Sequence, residues 1–198
     1  MHLPMSYSLW MPTKISHLPD EIIIDDELTL RVKTVDSLDE FSRIVVDNRD
    51  HLSAWLPWAE NAPDESSVAH YSESVARKEN DEEVNWDIFF GGLLCGAIGL
   101  MKREETKTIL EIGYWLAQEF NGRGIMTRCV NALVDVTFEQ TDTPAIEIGC
   151  DKANLPSASV ALRAGFTYHR DKERAPVARC ETDFGHYFRL TREEWLTR

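Results

Sequence analysis

One segment of the 198-residue chain restricts the possible folds more than any other. Residues 111–128 read Glu-Ile-Gly-Tyr-Trp-Leu-Ala-Gln-Glu-Phe-Asn-Gly-Arg-Gly-Ile-Met-Thr-Arg. This order predicts a strand that ends near Leu116, a turn with two glycines, and then a helix. An apolar strand at 145–150 follows the helix. A strand, a helix and a second strand within about 40 residues indicate a right-handed crossover between parallel strands.

The strands before this segment are connected differently. Strand-like runs cover 84–90, 93–101 and 108–116, and they are joined by the turn Gly91-Gly92 and by a charged turn at 102–107. Such short connections indicate an antiparallel meander.

The remaining pattern completes a mixed α/β domain. Alternation at 28–33 predicts a strand, and a capping box that starts at Ser37 predicts a helix. Asp64 is placed to cap a second helix, residues 157–164 have a helical spacing, and more strand follows from Phe166.

Charge and composition exclude several functions. The chain carries 34 acidic and 21 basic residues, a formal net charge of −13, which is unfavourable for binding nucleic acid or an anionic membrane. No apolar run approaches the ~20 residues that span a bilayer. Residues 1–20 lack the pattern of a signal peptide, and the four cysteines form no CxxC unit, so we expect reduced thiols in a cytoplasmic protein. The six histidines form no HExxH motif or close pair, so no metal site is expected.

The glycine turn is suited to an anion. Backbone amides of Asn121-Gly122-Arg123-Gly124 and the positive end of the following helix can bind a phosphate or pyrophosphate. Arg123 and Arg128 add positive charge, and no acidic residue lies between Asn121 and Asn131. A plain glycine turn before a helix is the alternative. The segment is neither a GxGxxG fingerprint nor a Walker A loop.

The turn resembles the cofactor loop of the GCN5-related N-acetyltransferase (GNAT) superfamily, whose pattern is Gln/Arg-x-x-Gly-x-Gly/Ala. Gly124 matches the central glycine, whereas Asn121 and Met126 depart from the pattern at its two ends. Gly-Ile-Met at 124–126 and Ile-Gly-Tyr-Trp-Leu at 112–116 are typical of the RimJ/RimL-like subgroup.

A second motif follows at the separation seen in the family. Residues 154–166, Asn-Leu-Pro-Ser-Ala-Ser-Val-Ala-Leu-Arg-Ala-Gly-Phe, are similar to the family's Asn-x-x-Ser-x-x-Val…Gly-Phe segment. The resemblance implies an α/β (α+β) GNAT fold, a mixed and mostly antiparallel sheet that is splayed at two central parallel strands, with helices on both faces. We expect residues 1–26 to form an irregular N-terminal extension and residues 27–198 a single GNAT domain.

The resemblance implies acetyl-CoA as cofactor. Its pantetheine would pair with the splayed strands, and its pyrophosphate would lie on the glycine loop. The residues expected to bind the cofactor are Leu116, Asn121, Gly122, Arg123, Gly124, Ile125, Met126, Thr127, Asn154 and Arg163.

Acetyl transfer from a thioester to an amine needs a base for the amine and a donor for the leaving sulfur. Glu111 is the first candidate for the base by its family position, unless it is only an exposed strand residue, and Glu173 and Glu181 are alternatives. The tyrosine that many family members use as an acid is replaced by Ala161, so Ser157 is the expected hydroxyl donor, unless it only caps its helix.

The sequence leaves the acceptor open. Trp55 and Trp58 are either core residues or a wall of the substrate site. Residues 36–87 carry 14 acidic against four basic side chains, which indicates either a solvated surface or a field that attracts a cationic amine. A protein N-terminal amine, as in the ribosomal-protein members, a polyamine or an aminoglycoside would fit. A non-catalytic acyl-CoA-binding module is the alternative of another class, and the family often forms dimers.

Overall fold

The fold is a single twisted sheet with helices on both sides. The computed structural model describes residues 13–62, 64–103 and 108–198. The strands are Glu21–Ile23 (β1), Leu28–Val32 (β2), Glu83–Phe90 (β3), Leu93–Lys102 (β4), Leu110–Leu116 (β5), Ala145–Asp151 (β6), Thr167–Glu173 (β7) and Phe184–Thr191 (β8). Their order is β1-β2-β3-β4-β5-β6-β8-β7, and β5 and β6 form the parallel pair in an otherwise antiparallel sheet.

The helices cover two different cores. They are Leu38–Asp47 (α1), Arg49–Leu52 (α2), Glu65–Ala76 (α3), Ile125–Gln140 (α4), Leu155–Arg163 (α5) and Arg192–Leu196 (α6). The buried face of α4 packs on the larger core together with Tyr114 of β5, whereas Trp115 packs on a smaller core with Phe41 and Tyr71. Since neighbouring residues of a strand point to opposite faces, α4 and α5 cover one face of the sheet and α1–α3 the other. Within the described ranges, no helix is long and apolar enough to cross a membrane.

Most of the predicted elements are confirmed, namely the mixed sheet, the meander, the crossover helix and the parallel pair. The predicted capping box is wrong, because Ser37 is helical itself, ends a short 3₁₀ turn and makes no side-chain cap bond. The charged turn at 102–107 lies mostly outside the described residues.

The expected N-terminal extension is partly ordered into the sheet. Residues 1–12 lie outside the described residues, but Glu21–Ile23 pairs with β2, and Ile15 and Leu18 are buried in the larger core. The prediction of an irregular segment is therefore wrong for residues 21–23. The sequence did not predict this strand, since three residues are too few to show alternation and the prolines before it favour irregular structure.

A cluster of arginines fixes the paired end of β5 and β6. Glu147 of β6 is fully buried, and its carboxylate accepts hydrogen bonds from Arg103, Arg170 and Arg189. Arg103 also contacts Glu111, the neighbour of Glu147 in the parallel ladder, with Nε 3.3 Å from Oε2. Burial alone would raise the pKa of Glu147, but the arginines outweigh it and lower the pKa to about 2.

We expect Glu147→Ala to lower the free energy of unfolding by about 3–5 kcal/mol, because it leaves three arginine side chains without their buried partner. Urea denaturation would measure this, with Glu173→Ala on the exposed strand β7 as the control. Since the folded pKa is depressed, the stabilisation exists above the unfolded pKa of about 4.3 and is lost as the pH falls toward 2. An equal effect of both variants at pH 7 would contradict this role.

Candidate active site

The site begins where the two parallel strands separate. β5 and β6 pair at Leu110 with Ile146 and at Glu111 with Glu147, and beyond these residues both strands continue without pairing to each other. Backbone groups of the two strands therefore face an open gap. Such a gap can accept an extended amide chain as if it were another strand.

The alternation of the ladder shows which amides of β5 face this gap. The amide of Ala117 donates to Cys95 of β4 at 2.8 Å, and the amide of Arg103 donates to Ile109. Hydrogen-bonded positions alternate along an antiparallel pair, so the amides of Tyr114 and Leu116 face away from β4. The amide of Leu116 is therefore available to a ligand, and that of Ala117 is not.

The glycine loop follows directly and leads into α4. Gly122 and Gly124 have φ of 76° and 72°, in the left-handed region that glycine adopts without strain. Gly124 is the N-cap of α4, and no side chain caps this end. The first amides of an α-helix have no carbonyl partner within the helix. Those of Ile125, Met126 and Thr127 can therefore meet an anion at the positive end of α4.

A cavity of about 850 Å³ joins the gap to the loop. The predicted cofactor residues that line it are Leu116, Asn121, Gly122, Gly124, Ile125, Met126, Thr127, Asn154 and Arg163. Arg123 does not line it, and its guanidinium lies 5.5 Å from the ring centroid of Phe120. Arg128 is not free either, since it pairs with Asp25.

The second predicted motif, residues 154–166, contains the whole of α5. Asn154 is the N-cap, and its Oδ1 accepts a hydrogen bond from the amide of Ser157 at 3.2 Å. The reading of Ser157 as the cap is therefore wrong, and its hydroxyl remains available in the cavity. Arg163, at the other end of α5, donates from Nε to Oγ1 of Thr127 at 3.3 Å, which ties α5 to the start of α4.

A tyrosine that the sequence interpretation missed lies against Ser157. The hydroxyl of Tyr114 is 3.0 Å from Ser157 Oγ and 3.1 Å from the Ser157 carbonyl oxygen, and both residues line the cavity. The thiol of Cys150 lines it as well. The family pattern places the acid at position 161, which in this chain is a buried alanine without a hydroxyl.

Glu111 lies beside the cavity and does not line it. Its carboxylate contacts Arg103, and its Oε1 would lie 3.1 Å from a Cβ added at Gly149, a residue of the cavity wall. Burial raises the pKa of Glu111, Arg103 opposes this, and the neighbouring Glu147 raises the pKa further. The net effect is a raised pKa of Glu111, which makes this carboxylate a stronger base than an ordinary glutamate.

The other two candidate bases have different surroundings. Glu173 is exposed on β7 and outside the cavity, whereas Glu181 lines it from the connection between β7 and β8. Glu181 is engaged structurally, because Arg174 bonds Oε1 at 2.6 Å and the amides of Val177 and Ala178 bond Oε2.

Asp151 and Arg174 complete this charged corner of the cavity. Asp151 accepts hydrogen bonds from the amides of Ala153 and Thr182, each at 2.8 Å, and from Arg174 at 3.2 Å. Burial opposes ionisation of Asp151, but these donors outweigh it and lower the pKa. The sequence interpretation missed both residues, since only the folded chain brings the end of β6 to the 174–183 connection.

The two candidate substrate tryptophans differ. Trp55 lines the cavity together with Leu56, after α2. Trp58 does not, and it packs in the smaller core, with its ring centroid 5.8 Å from Phe41 and 6.3 Å from Trp115. Across residues 13–62, 64–103 and 108–198, no three His, Cys, Asp or Glu side chains are grouped to hold a metal ion.

Splayed parallel strands, a glycine loop without a side-chain cap and a shared cavity define a site for an acyl-CoA thioester. A family model described as an acetyltransferase (GNAT) domain matches residues 27–167. The chain therefore belongs to the GNAT acetyltransferases, in agreement with the resemblance to the RimJ/RimL-like subgroup. It is an N-acetyltransferase, and its cofactor is acetyl-CoA.

Two curated relatives cover most of the chain. YdaF of Bacillus subtilis is 27% identical to this chain over 180 residues. The match covers 87% of this chain and 95% of YdaF, whose name assigns it provisionally to the ribosomal N-acetyltransferases. The ribosomal-protein-serine acetyltransferase of Escherichia coli is 24% identical over 150 residues, 75% of this chain and 84% of that protein.

Solved structures share the fold. The microcin C7 self-immunity acetyltransferase MccE, in complex with acetyl-CoA and AMP, matches with a TM-score of 0.80 at 22% identity, covering 89% of this chain and 98% of that chain. RimL, the ribosomal L7/L12 α-N-protein acetyltransferase, in complex with coenzyme A, matches with a TM-score of 0.80 at 22% identity, covering 88% and 99%.

We expect Gly124→Leu to weaken coenzyme A binding by about 100-fold or more, because the side chain enters the space of the pyrophosphate. The matched control is Gly92→Leu in the β3–β4 turn. Gly92 also has a positive φ, 80°, and a Cβ added at either glycine meets nothing within 4 Å. Both variants carry the same strain of about 1–2 kcal/mol. Isothermal titration calorimetry measures the affinity, and equal affinity in both variants would refute this placement of the pyrophosphate.

Proposed function

We propose that this chain transfers the acetyl group of acetyl-CoA directly to the N-terminal amine of a protein, in a ternary complex. The observation that carries the proposal is the shared cavity. Nine of the ten predicted cofactor residues line this cavity, and Trp55, Leu56, Arg174 and Glu181 line it as well, so it offers side chains that a second reactant could contact. Two reactants held in one cavity can react without an enzyme-bound intermediate, and positioning alone can supply several kcal/mol of the barrier reduction, roughly 7–11 at best.

The protein acceptor is supported by the relatives. YdaF and the Escherichia coli protein carry ribosomal acetyltransferase names and cover 95% and 84% of their own lengths in the match. The aromatic and apolar wall at Trp55 and Leu56 suits the first side chain of a peptide better than a small polycation.

The chemistry follows from the groups around the gap. The acceptor amine loses a proton to Glu111 through water and attacks the thioester carbon. The amide of Leu116 donates to the oxyanion that forms. The carbon–sulfur bond then breaks, and the electron pair stays on the coenzyme A sulfur beside Ser157. The acceptor nitrogen gives its second proton to water as the amide forms.

Two glycines lie between Glu111 and the gap. Gly113 follows Glu111 on the same face of β5, and Gly149 lies opposite on β6, and both line the cavity. A Cβ at Gly149 would approach the ring of Tyr187 to 2.8 Å and Oε1 of Glu111 to 3.1 Å. A larger residue at position 149 would therefore push against Tyr187 and Glu111, so glycine lets the carboxylate lie close to the cavity wall.

A small-molecule amine is the second candidate acceptor. Fold similarity does not separate the two acceptors, because MccE, a self-immunity acetyltransferase, and RimL match equally well. A net charge of −10 over residues 36–87 would attract a polyamine.

Coenzyme A release from acetyl-CoA distinguishes the acceptors. We expect release with peptides that begin with a free serine or alanine amine, and none with the same peptides after N-terminal acetylation. Spermidine and an aminoglycoside serve as the small-molecule arm. Release with spermidine and none with any free peptide would overturn the protein acceptor and support the second candidate.

We expect Glu111→Gln to lower kcat by about 10²–10⁴-fold, which is the usual contribution of a general base. A base works in its deprotonated form, so the wild-type rate should rise as the pH rises through the elevated pKa of Glu111. The variant should lose this acidic limb. Glu173→Gln, at the exposed alternative base, should keep both the wild-type kcat and the rise of the rate with pH. If Glu173→Gln lost both and Glu111→Gln kept both, the base would be Glu173 on β7.

A further inference from the structure

The hydroxyl of Tyr114 has two acceptors and one proton. It lies 3.1 Å from the Ser157 carbonyl oxygen and 3.0 Å from Ser157 Oγ. When Tyr114 donates to the carbonyl, its oxygen can accept the Ser157 proton. When Tyr114 donates to Oγ instead, the Ser157 proton is released and can point into the cavity. The pair therefore has two hydrogen-bonding states.

We propose that Tyr114 is a positioning residue that turns the Ser157 hydroxyl toward the departing coenzyme A sulfur. This inference rests on the proposed function, since it needs the thioester beside Ser157. Before reaction, Tyr114 donates to the carbonyl. As negative charge develops on sulfur, Tyr114 donates to Oγ, and Ser157 donates to the thiolate.

The pair donates hydrogen bonds and keeps its protons. Burial raises the pKa of Tyr114 well above its ordinary value, and the bond to Ser157 only partly opposes this. Transfer of the tyrosine proton to a thiolate, whose conjugate thiol has a pKa of about 8.5, would be strongly uphill. The sulfur therefore leaves with the electron pair of the broken carbon–sulfur bond, and the two protons that the acceptor nitrogen loses go to Glu111 and to water.

The surroundings of Ser157 fit this role. The amide of Ser157 is held by Asn154, so the backbone of this residue is fixed while the hydroxyl is free to rotate. Cys150 contacts the same hydroxyl, and burial raises the pKa of its thiol, so it competes only as a neutral, weak acceptor. A charged thiolate would attract the Ser157 proton more strongly than either neighbour.

The thiol pKa of bound coenzyme A tests this without knowledge of the acceptor. A donor at the sulfur stabilises the thiolate, so the pKa of bound coenzyme A should lie below that of free coenzyme A. Ultraviolet absorbance of the thiolate reports it, measured as a difference against the complex with S-methyl-coenzyme A, which cancels the four protein cysteines. A bound thiol pKa at or above that of free coenzyme A in the wild type would overturn the proposal.

Tyr114→Phe, Ser157→Ala and the double variant separate positioning from packing. We expect each single variant to raise the bound thiol pKa and to lower kcat by about 10- to 100-fold. The double variant should be no worse than Ser157→Ala alone, because Tyr114 acts through that hydroxyl. Additive effects would show that Tyr114 only packs α5 on the sheet, and this would refute the proposal.

The matched control is Tyr168→Phe. It removes an exposed hydroxyl that bonds Asp171 on the edge strand β7. We expect it to change neither the bound thiol pKa nor kcat. Failure of the wild type to release coenzyme A with any acceptor would count against the proposed function, whereas an unshifted thiol pKa in Tyr114→Phe would count against the positioning role alone.

Discussion

The fold depends on the buried ion cluster that holds β5 and β6 together at one end. If β5 and β6 paired along their whole length, no gap would exist between them. If they did not pair at all, nothing would fix the distance between the two sides of the gap. The carboxylate of Glu147, with Arg103, Arg170 and Arg189 around it, fixes the pairing where the splay starts. Because Arg103 also contacts Glu111, the same cluster places the proposed base. Stability and chemistry therefore share one set of charges.

Recognition of the anionic cofactor would combine backbone amides with few cations. Arg128 is paired with Asp25, and Arg123 does not line the cavity, whereas Arg163 does. The amides at the start of α4 and the positive end of that helix add to Arg163. Such dipoles are fixed by the fold, so they bind pyrophosphate without the entropy cost of ordering long side chains. This explains how a chain with a net charge of −13 can hold coenzyme A.

The sequence predicted most of the fold because its signals are local. Alternation gave the strands, the spacing of α4 gave the crossover, and the glycines gave the loop. β1 was missed, since a three-residue strand has no detectable period. The capping box at Ser37 failed because a 3₁₀ turn precedes α1. Nine of the ten predicted cofactor residues line the cavity, but Asp151 and Arg174 depend on contacts between distant segments, which no single sequence displays.

The proposed mechanism illustrates how a site can keep its chemistry while its residues change position. The family's tyrosine is replaced by Ala161, and Ser157 is the hydroxyl that α5 still offers. In the folded chain, β5 runs beside α5, and Tyr114 brings a hydroxyl to Ser157 from the sheet. What the reaction requires is a donor near the sulfur, and the element that supplies it is not prescribed. Motif comparison within α5 alone therefore misses a positioning group such as Tyr114, which the neighbouring strand supplies.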